Sequence, residues 1–253
     1  MYAEERQQEI LRIARDVGRV EVAGLADGLN VTSETIRRDL TILERAGVLR
    51  RVHGGAIPVE RLGFEPALAA RDAVLIEEKE RIAKLALSEV PEEGAVILDA
   101  GTTTARLAQL LPVDRELTVV VNSPVIATTL GTYANLNVLL LGGRVRGKTL
   151  ATVDDWALSP LADLYVDVAF IGTNGISVER GLTTPDPSEA AVKRAMVRAA
   201  RRTVVVADHT KLGNDYLARF AELADVDLLI TDSRADPDLV GDLESAGVRV
   251  ARA

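Results

Sequence analysis

In the first quarter of the chain, apolar positions recur at helical spacing in three places. Ile10, Leu11, Ala14 and Val17 predict a first helix, ended near Gly18. A short apolar segment then leads into VAGLADGLN, where Leu25 and Leu29 mark a brief second helix. In Val31–Leu49, VTSETIRRDLTILERAGVL, the residues Ile36, Leu40 and Leu43 form one apolar stripe and predict a longer helix over 32–46. Thr32 and Ser33 suit its N-cap, and Gly47 suits a left-handed C-cap. LRRVHGGAIP follows, with Arg50, Arg51 and His53 around a Gly54–Gly55 turn, which reads as a basic hairpin closing at Pro58.

Periodicity fades from Pro58 to about Ala73 and resumes in IEEKERIAKLALSEV, whose apolar face is Ile76, Ile82, Ala83, Leu85, Ala86 and Val90. Six short runs then punctuate the chain: AVILDA, LTVVVN, NVLLLGG, VDVAFIG, RTVVVAD and VDLLITD. Each is continuously apolar rather than alternating, as in strands covered on both faces. TTTARLAQLL, PVIATTL and SEAAVKRAMVRAAR supply helical stretches between them. The expected architecture is α/β: a winged helix-turn-helix over 1–57, a linker over 58–74, and a largely parallel α/β domain over 75–253.

Composition changes this picture in three respects. The chain has 253 residues and no cysteine, which excludes disulfides and cysteine metal sites and agrees with a reducing cytoplasm. No long apolar run is present, so no membrane partner is expected. Net charge is −8, yet residues 1–57 balance nine arginines against nine acidic side chains, so 58–253 carry the entire excess. Attraction to a polyanion is therefore expected to be local. Its focus is the face of the third helix that turns away from the apolar stripe.

On that face lie Thr35, Arg37, Arg38 and Thr41, with Glu34 near the start. Guanidiniums and hydroxyls of this kind contact phosphates and guanine edges in a duplex. Glu34 suits a cytosine amino group or simple capping. The expected contact set is Thr32, Ser33, Glu34, Thr35, Arg37, Arg38 and Thr41 on the helix, with Arg50, Arg51 and His53 on the hairpin.

Polar, glycine-rich exits follow most of the apolar runs. They are Asp99 with Gly101, Thr102, Thr103 and Thr104; Asn122 and Ser123; Gly142, Gly143 and Arg144; Gly172 and Asn174; and Asp208 with His209 and Lys211. In open parallel sheets the carboxyl ends of strands face one crevice, so these loops are candidates for a shared ligand site. Gly101–Thr104 is the phosphate candidate, because glycine admits close approach and a helix start presents free N–H groups. Lys211 supplies a positive charge and Asp208 an acceptor for sugar hydroxyls. Neither of the glycine-rich nucleotide motifs is present, and no cofactor is expected.

The opening ERQQEIL, the central TSETIRRDL and the ending LERAGVLRRVHGGA resemble the DeoR family of bacterial transcriptional regulators. The resemblance continues through Asp99 with Gly101–Thr103, Asn122–Ser123, Leu141–Arg144, and Asp208 with Thr210–Gly213. It implies a sensor domain related to ribose-phosphate isomerases and coenzyme A transferases. It also implies a homo-oligomer, a dimer or tetramer, that binds double-stranded operator DNA as a repressor and responds to a phosphorylated sugar. The stretch from Val153 to Met196 is most similar to regulators of fructose utilisation, which makes fructose 1-phosphate the leading effector. Asp154 departs from the pattern, since many relatives have glycine near that position.

The remaining polar and aromatic residues are less specific. His53 and His209 lie in different domains, so no metal site is expected. Trp156, at helical spacing from Val153, Ala157 and Leu161, suits core or subunit-interface packing. Glu189, Lys193 and Arg194 are candidates to line the crevice or to form a solvated helix face, with Asp186 or Ser188 as cap. An isomerase-like enzyme with a regulatory head, using Asp99 or Asp208 as base, is the competing reading. It lacks a clear catalytic pair.

Overall fold

The computed structural model describes residues 3–45, 48–52, 54–58, 65 and 67–253. The chain forms two compact units, Met1–Glu65 and Pro66–Ala253. Gly47 and His53 lie outside the described residues.

The first unit contains α1 (Ala3–Val17), β1 (Val20–Glu21), α2 (Val22–Leu29), α3 (Ser33–Arg45), β2 (Leu49–Val52) and β3 (Gly55–Pro58). The strands form a small antiparallel sheet in the order β1-β3-β2. Ile10, Ala14, Leu25, Ile36, Leu40, Leu43 and Leu49 share one core. Each of the isoleucine and leucine side chains among them, fully buried, contributes about 1.5–3 kcal/mol. Val17 does not belong to this stripe: it is 71% exposed at the end of α1. Asn30 closes α2 in a left-handed conformation, φ 53°, which asparagine tolerates better than most residues. Gly55 is required sterically, because a Cβ there would lie 1.9 Å from the carbonyl oxygen of Val20 on the neighbouring strand.

The second unit is built on a seven-stranded parallel sheet. Its chain order begins with α4 (Leu68–Asp72), α5 (Ile76–Ala86), β4 (Gly94–Leu98), α6 (Thr102–Gln109), β5 (Leu117–Val121), α7 (Pro124–Leu130) and β6 (Leu136–Leu140). A two-stranded hairpin of β7 (Arg144–Val145) and β8 (Thr152–Val153) follows, then α8 (Asp155–Leu161) and β9 (Val166–Gly172). The chain continues through β10 (Gly175–Ser177), β11 (Gly181–Thr184), α9 (Pro187–Arg198), β12 (Ala200–Val206) and β13 (Ala218–Ala221). It ends with β14 (Leu228–Thr231), α10 (Pro237–Ser245) and β15 (Val250–Arg252).

The main sheet runs β15-β14-β12-β9-β4-β5-β6, while β10, β11 and β13 form a separate antiparallel sheet. All six apolar runs are strands of the main sheet. Its two faces separate residue by residue. Ile97, Ala169, Ile171 and Val205 share a core with α8, α9 and α10. Val96, Leu98, Val168, Phe170, Val204 and Val206 share the other core with α5, α6 and α7. Continuous apolar sequence therefore reflects helices on both sides.

Two features depart from the sequence reading, and a third, at Asp154, agrees with it. The stretch 58–74, read as linker, contains the helix α4, which buries none of its own residues. Trp156 is 79% exposed on α8, so it is no part of this chain's core, whereas Val153, Ala157 and Leu161 are. Asp154 adopts φ 74°, ψ −171°, a region that glycine occupies without strain and other residues rarely enter. Its carboxylate is bonded to Arg144 at 2.8 Å, which holds it below the usual carboxylate range.

Candidate functional site

The outward face of α3 is set by its two ends and its buried stripe. Thr32 Oγ1 accepts from the Thr35 amide at 3.2 Å and so caps the helix, while Ser33 begins it. Arg37 and Arg38 are exposed, and Thr35 and Thr41 are half-buried. Arg37 lies 3.5 Å from the exposed Glu34, one turn back. The hairpin is tied to the same helix. The Arg51 amide donates to Glu44 at 2.9 Å, and its guanidinium donates to Thr41 Oγ1 at 3.3 Å. Arg51 is exposed and Arg50 half-buried. Helix and hairpin thus present their cations as one preset surface.

One functional residue of this unit escaped the sequence reading. Asp39 belongs to the buried side of α3 and is 2% exposed. It accepts from Arg6 Nε at 2.5 Å and Gln7 Nε2 at 3.0 Å, bolting α1 to the reading helix. The hydrogen bond raises the Arg6 pKa. Its spacing from Ile36, Leu40 and Leu43 was the available signal: a charge on an inward stripe needs a partner.

In the second unit, the strand order decides which loops meet. From β4 the chain moves outward to β5 and β6, then returns to place β9 on the other side of β4. The gap between β4 and β9 is a topological switch point, where ligands bind in open α/β sheets. A cavity of about 410 Å³ opens there, lined by Gly101–Thr104 after β4, Gly172–Asn174 after β9 and Val206–Lys211 after β12. Asn122, Gly143 and Arg144 are not in this lining. Asn122 instead accepts from the Ala100 amide at 2.7 Å, Ser123 caps α7, and Arg144 is exposed. A larger groove of about 810 Å³ adjoins the cavity, sharing Gly101, Thr102 and Thr149 and taking in Ser123, Lys84 and Leu110.

Thr102 and Thr103 open α6, and Gly101 precedes them as N-cap. Thr104 Oγ1 turns inward to the Asp99 carbonyl at 2.6 Å. Asp99 itself is fully buried behind the lining, where it accepts from Lys193 Nζ and, at 3.0 Å, from the Gly172 amide. Glu189 also lines the cavity, buried and bonded to Thr149 and to Arg146 at 3.1 Å. Arg194 points elsewhere, to the Arg219 carbonyl at 2.5 Å, and Asp186 rather than Ser188 caps α9. Asp208 accepts from the Thr210 amide at 3.1 Å and lies 3.9 Å from Lys211 Nζ. His209 lines the cavity with Nδ1 3.0 Å from Asp232. Burial works to raise the Asp232 carboxyl, but hydrogen bonds from the His209 backbone and ring and the Arg234 backbone outweigh it and leave it lowered.

Lys79 is the second residue that sequence reading missed. It is 3% exposed on α5 and faces the cavity. Its ammonium donates to the carbonyls of Arg71 and, at 2.7 Å, Val74. Burial lowers its pKa to about 8, an effect that Lys211 and Arg106 reinforce and Asp208 and Asp72 oppose. Among the described residues the lining carries Arg71, Lys79, Lys193, Lys211 and Arg234 against Glu189 and Asp208, a net positive pocket. Its chemistry is that of an anion holder with hydroxyl acceptors beside it.

A winged helix-turn-helix joined to an α/β body with a polar cavity at its switch point defines a DNA-binding regulator with a sensing domain. Residues 6–61 match the DeoR-like helix-turn-helix domain, and residues 75–233 match the DeoR C terminal sensor domain. The chain is 41% identical over 250 residues to the HTH-type transcriptional regulator GlpR of Haloferax volcanii, covering 99% of this chain and 98% of that one. It is 34% identical over 233 residues to the uncharacterized HTH-type transcriptional regulator FruR of Bacillus subtilis, covering 92% of each. A ribose 5-phosphate isomerase A from Methanocaldococcus jannaschii superposes over 54% of each chain, with 17% identity and a TM-score of 0.40. The chain belongs to the DeoR family: it is a transcriptional regulator, not an enzyme. No helix among the described residues is long and apolar enough to cross a membrane.

Proposed function

We propose that this regulator represses a sugar-catabolic operon from the cytoplasm and releases double-stranded operator DNA when a phosphorylated sugar fills the switch-point cavity. The observation that carries this reading is the convergence of the α6 start, Lys79, Lys211, Glu189 and Asp208 on one cavity. Backbone N–H groups and ammoniums hold the phosphate, and the carboxylates accept from sugar hydroxyls. Fructose 1-phosphate is the leading ligand, on the resemblance of Val153–Met196 to fructose-utilisation regulators. Two reading heads in a dimer or tetramer span half-sites, so a change in their placement weakens both together.

Titration of a labelled operator fragment with a panel of sugar phosphates tests the proposal. Release by one phosphosugar, and not by the free sugar, is expected. Effector affinity must fall by the same factor when operator is present, because coupling between sites is reciprocal. Affinity also weakens as pH rises through about 8, where Lys79 loses its proton. Equal effector affinity with and without operator excludes the switch.

On the DNA side, Arg38→Ala removes an exposed guanidinium of α3 without disturbing the buried stripe. Operator affinity falls by about 1–3 kcal/mol if Arg38 grips a guanine bidentately, and discrimination at that base pair relaxes. A loss that is uniform across operator variants assigns Arg38 to phosphate instead.

A further inference from the structure

The segment from Ala67 to Leu75 leads out of the DNA-reading unit into the body, and its attachment there is unusual. Its helix α4 contributes no buried residue to either core. Polar ties hold it instead. The Leu68 amide donates to the Lys148 carbonyl at 2.8 Å, and Arg106 donates to the Asp72 carboxylate at 2.6 Å. Lys79 clamps the end of the segment by donating to the carbonyls of Arg71 and Val74. Immediately beyond the clamp, Leu75 stands at φ 54°, a left-handed conformation that costs a branched residue energy and persists only while its surroundings enforce it.

Lys79 has a second role open to it, because it also faces the cavity, together with Arg71, Val74 and Leu75. Among the described residues no carboxylate lies within ion-pair distance of its ammonium; its partners are carbonyl dipoles. A carbonyl is a weaker partner for a buried ammonium than an anion is. Two of its three N–H donors are committed to these carbonyls, so an anionic group that takes more than one N–H draws a donor away from the segment.

We propose that Lys79 is a two-position clamp: without ligand it fastens the segment 67–75, and an anionic ligand draws it off those carbonyls and frees the segment. The consequence is mechanical. The freed residues are the covalent continuation of the reading unit, so occupancy of the cavity changes how firmly that unit is tethered. The strain stored at Leu75 favours release once the clamp opens. The inference rests on the ligand reading given above and assigns its regulation to one side chain.

Hydrogen exchange on the full chain tests it, with fructose 1-phosphate, the other sugar phosphates of the panel and inorganic phosphate as probes. The amides to follow are Arg71 and Ala73, bonded within the segment, and Lys79, bonded to the Leu75 carbonyl. On saturation they exchange about tenfold faster, the effect of losing one charge-assisted hydrogen bond. Over the same titration the amides of Gly101–Thr104 exchange more slowly. Lys79→Met shows fast exchange in the segment without ligand and no further response. If Gly101–Thr104 slow while the segment does not loosen, the clamp is wrong and the ligand reading stands. Unaltered segment exchange in a folded Lys79→Met protein also overturns the clamp. If no probe slows Gly101–Thr104, the ligand reading fails and the clamp with it.

Discussion

Lys193→Met lowers the unfolding free energy of the α/β unit by about 3–5 kcal/mol, the cost of leaving a buried carboxylate without its counter-ion. Lys193 is 5% exposed and Asp99 fully buried, and the two are in direct contact. Lys193 also donates to the Gly172 carbonyl at 3.0 Å and lies 5.6 Å above the Phe220 ring. Asp99 keeps only the Gly172 amide when the ammonium is gone, and its Oδ1 already lacks a hydrogen-bond partner. The pair joins the exits of the adjacent strands β4 and β9 to α9, so its loss also loosens the cavity wall. Urea unfolding of Lys193→Met, Asp99→Asn and the double variant separates the charge effect from packing. The double variant is expected to recover much of the single loss. Losses that simply add would show that the two residues act independently.

Asp39→Ala abolishes operator binding although Asp39 is buried on the inward side of α3. The first unit is small, and small units have little stability to spare. Removing the carboxylate strands Arg6, whose side chain is 12% exposed, and Gln7 at the α1–α3 contact. The expected cost is about 3 kcal/mol, typical of breaking a buried pair from one side. Circular dichroism and operator titration then fall together at the working temperature, while ligand binding by the body is retained. The contrast with Arg38→Ala is diagnostic, since that change weakens DNA binding and leaves the unfolding midpoint in place. Operator affinity within twofold of the parent would show that Asp39 does not organise the reading helix.

Sequence periodicity disclosed the large elements because both halves bury them in the usual way. Ile36, Leu40 and Leu43 marked the reading helix, and the six continuous apolar runs marked the doubly covered strands. Short elements were missed for lack of length: β15 has three residues, and β7 and β8 have two each. Asp39 and Lys79 were missed for a different reason. Both occupy inward positions of amphipathic helices, and a reading that counts apolar positions passes over a buried charge whose partner lies far away or is a carbonyl. The cavity was only half legible. Loop chemistry at Gly101, Gly172 and Asp208 was visible, but which exits meet depends on strand order. That order sets β4, β9 and β12 side by side at the centre and β6 at the rim, which takes Gly143 and Arg144 out of the lining.

Strand order also sets a timetable for the growing polypeptide. The reading unit ends at residue 65, so every partner it needs has been made by then. The central sheet is still incomplete, because β4 needs β9 as a neighbour and β9 in turn needs β12, which ends at Val206. At ribosomal speeds that gap lasts on the order of ten seconds. For that interval each nascent copy carries a finished duplex-reading head on a body that has no pocket.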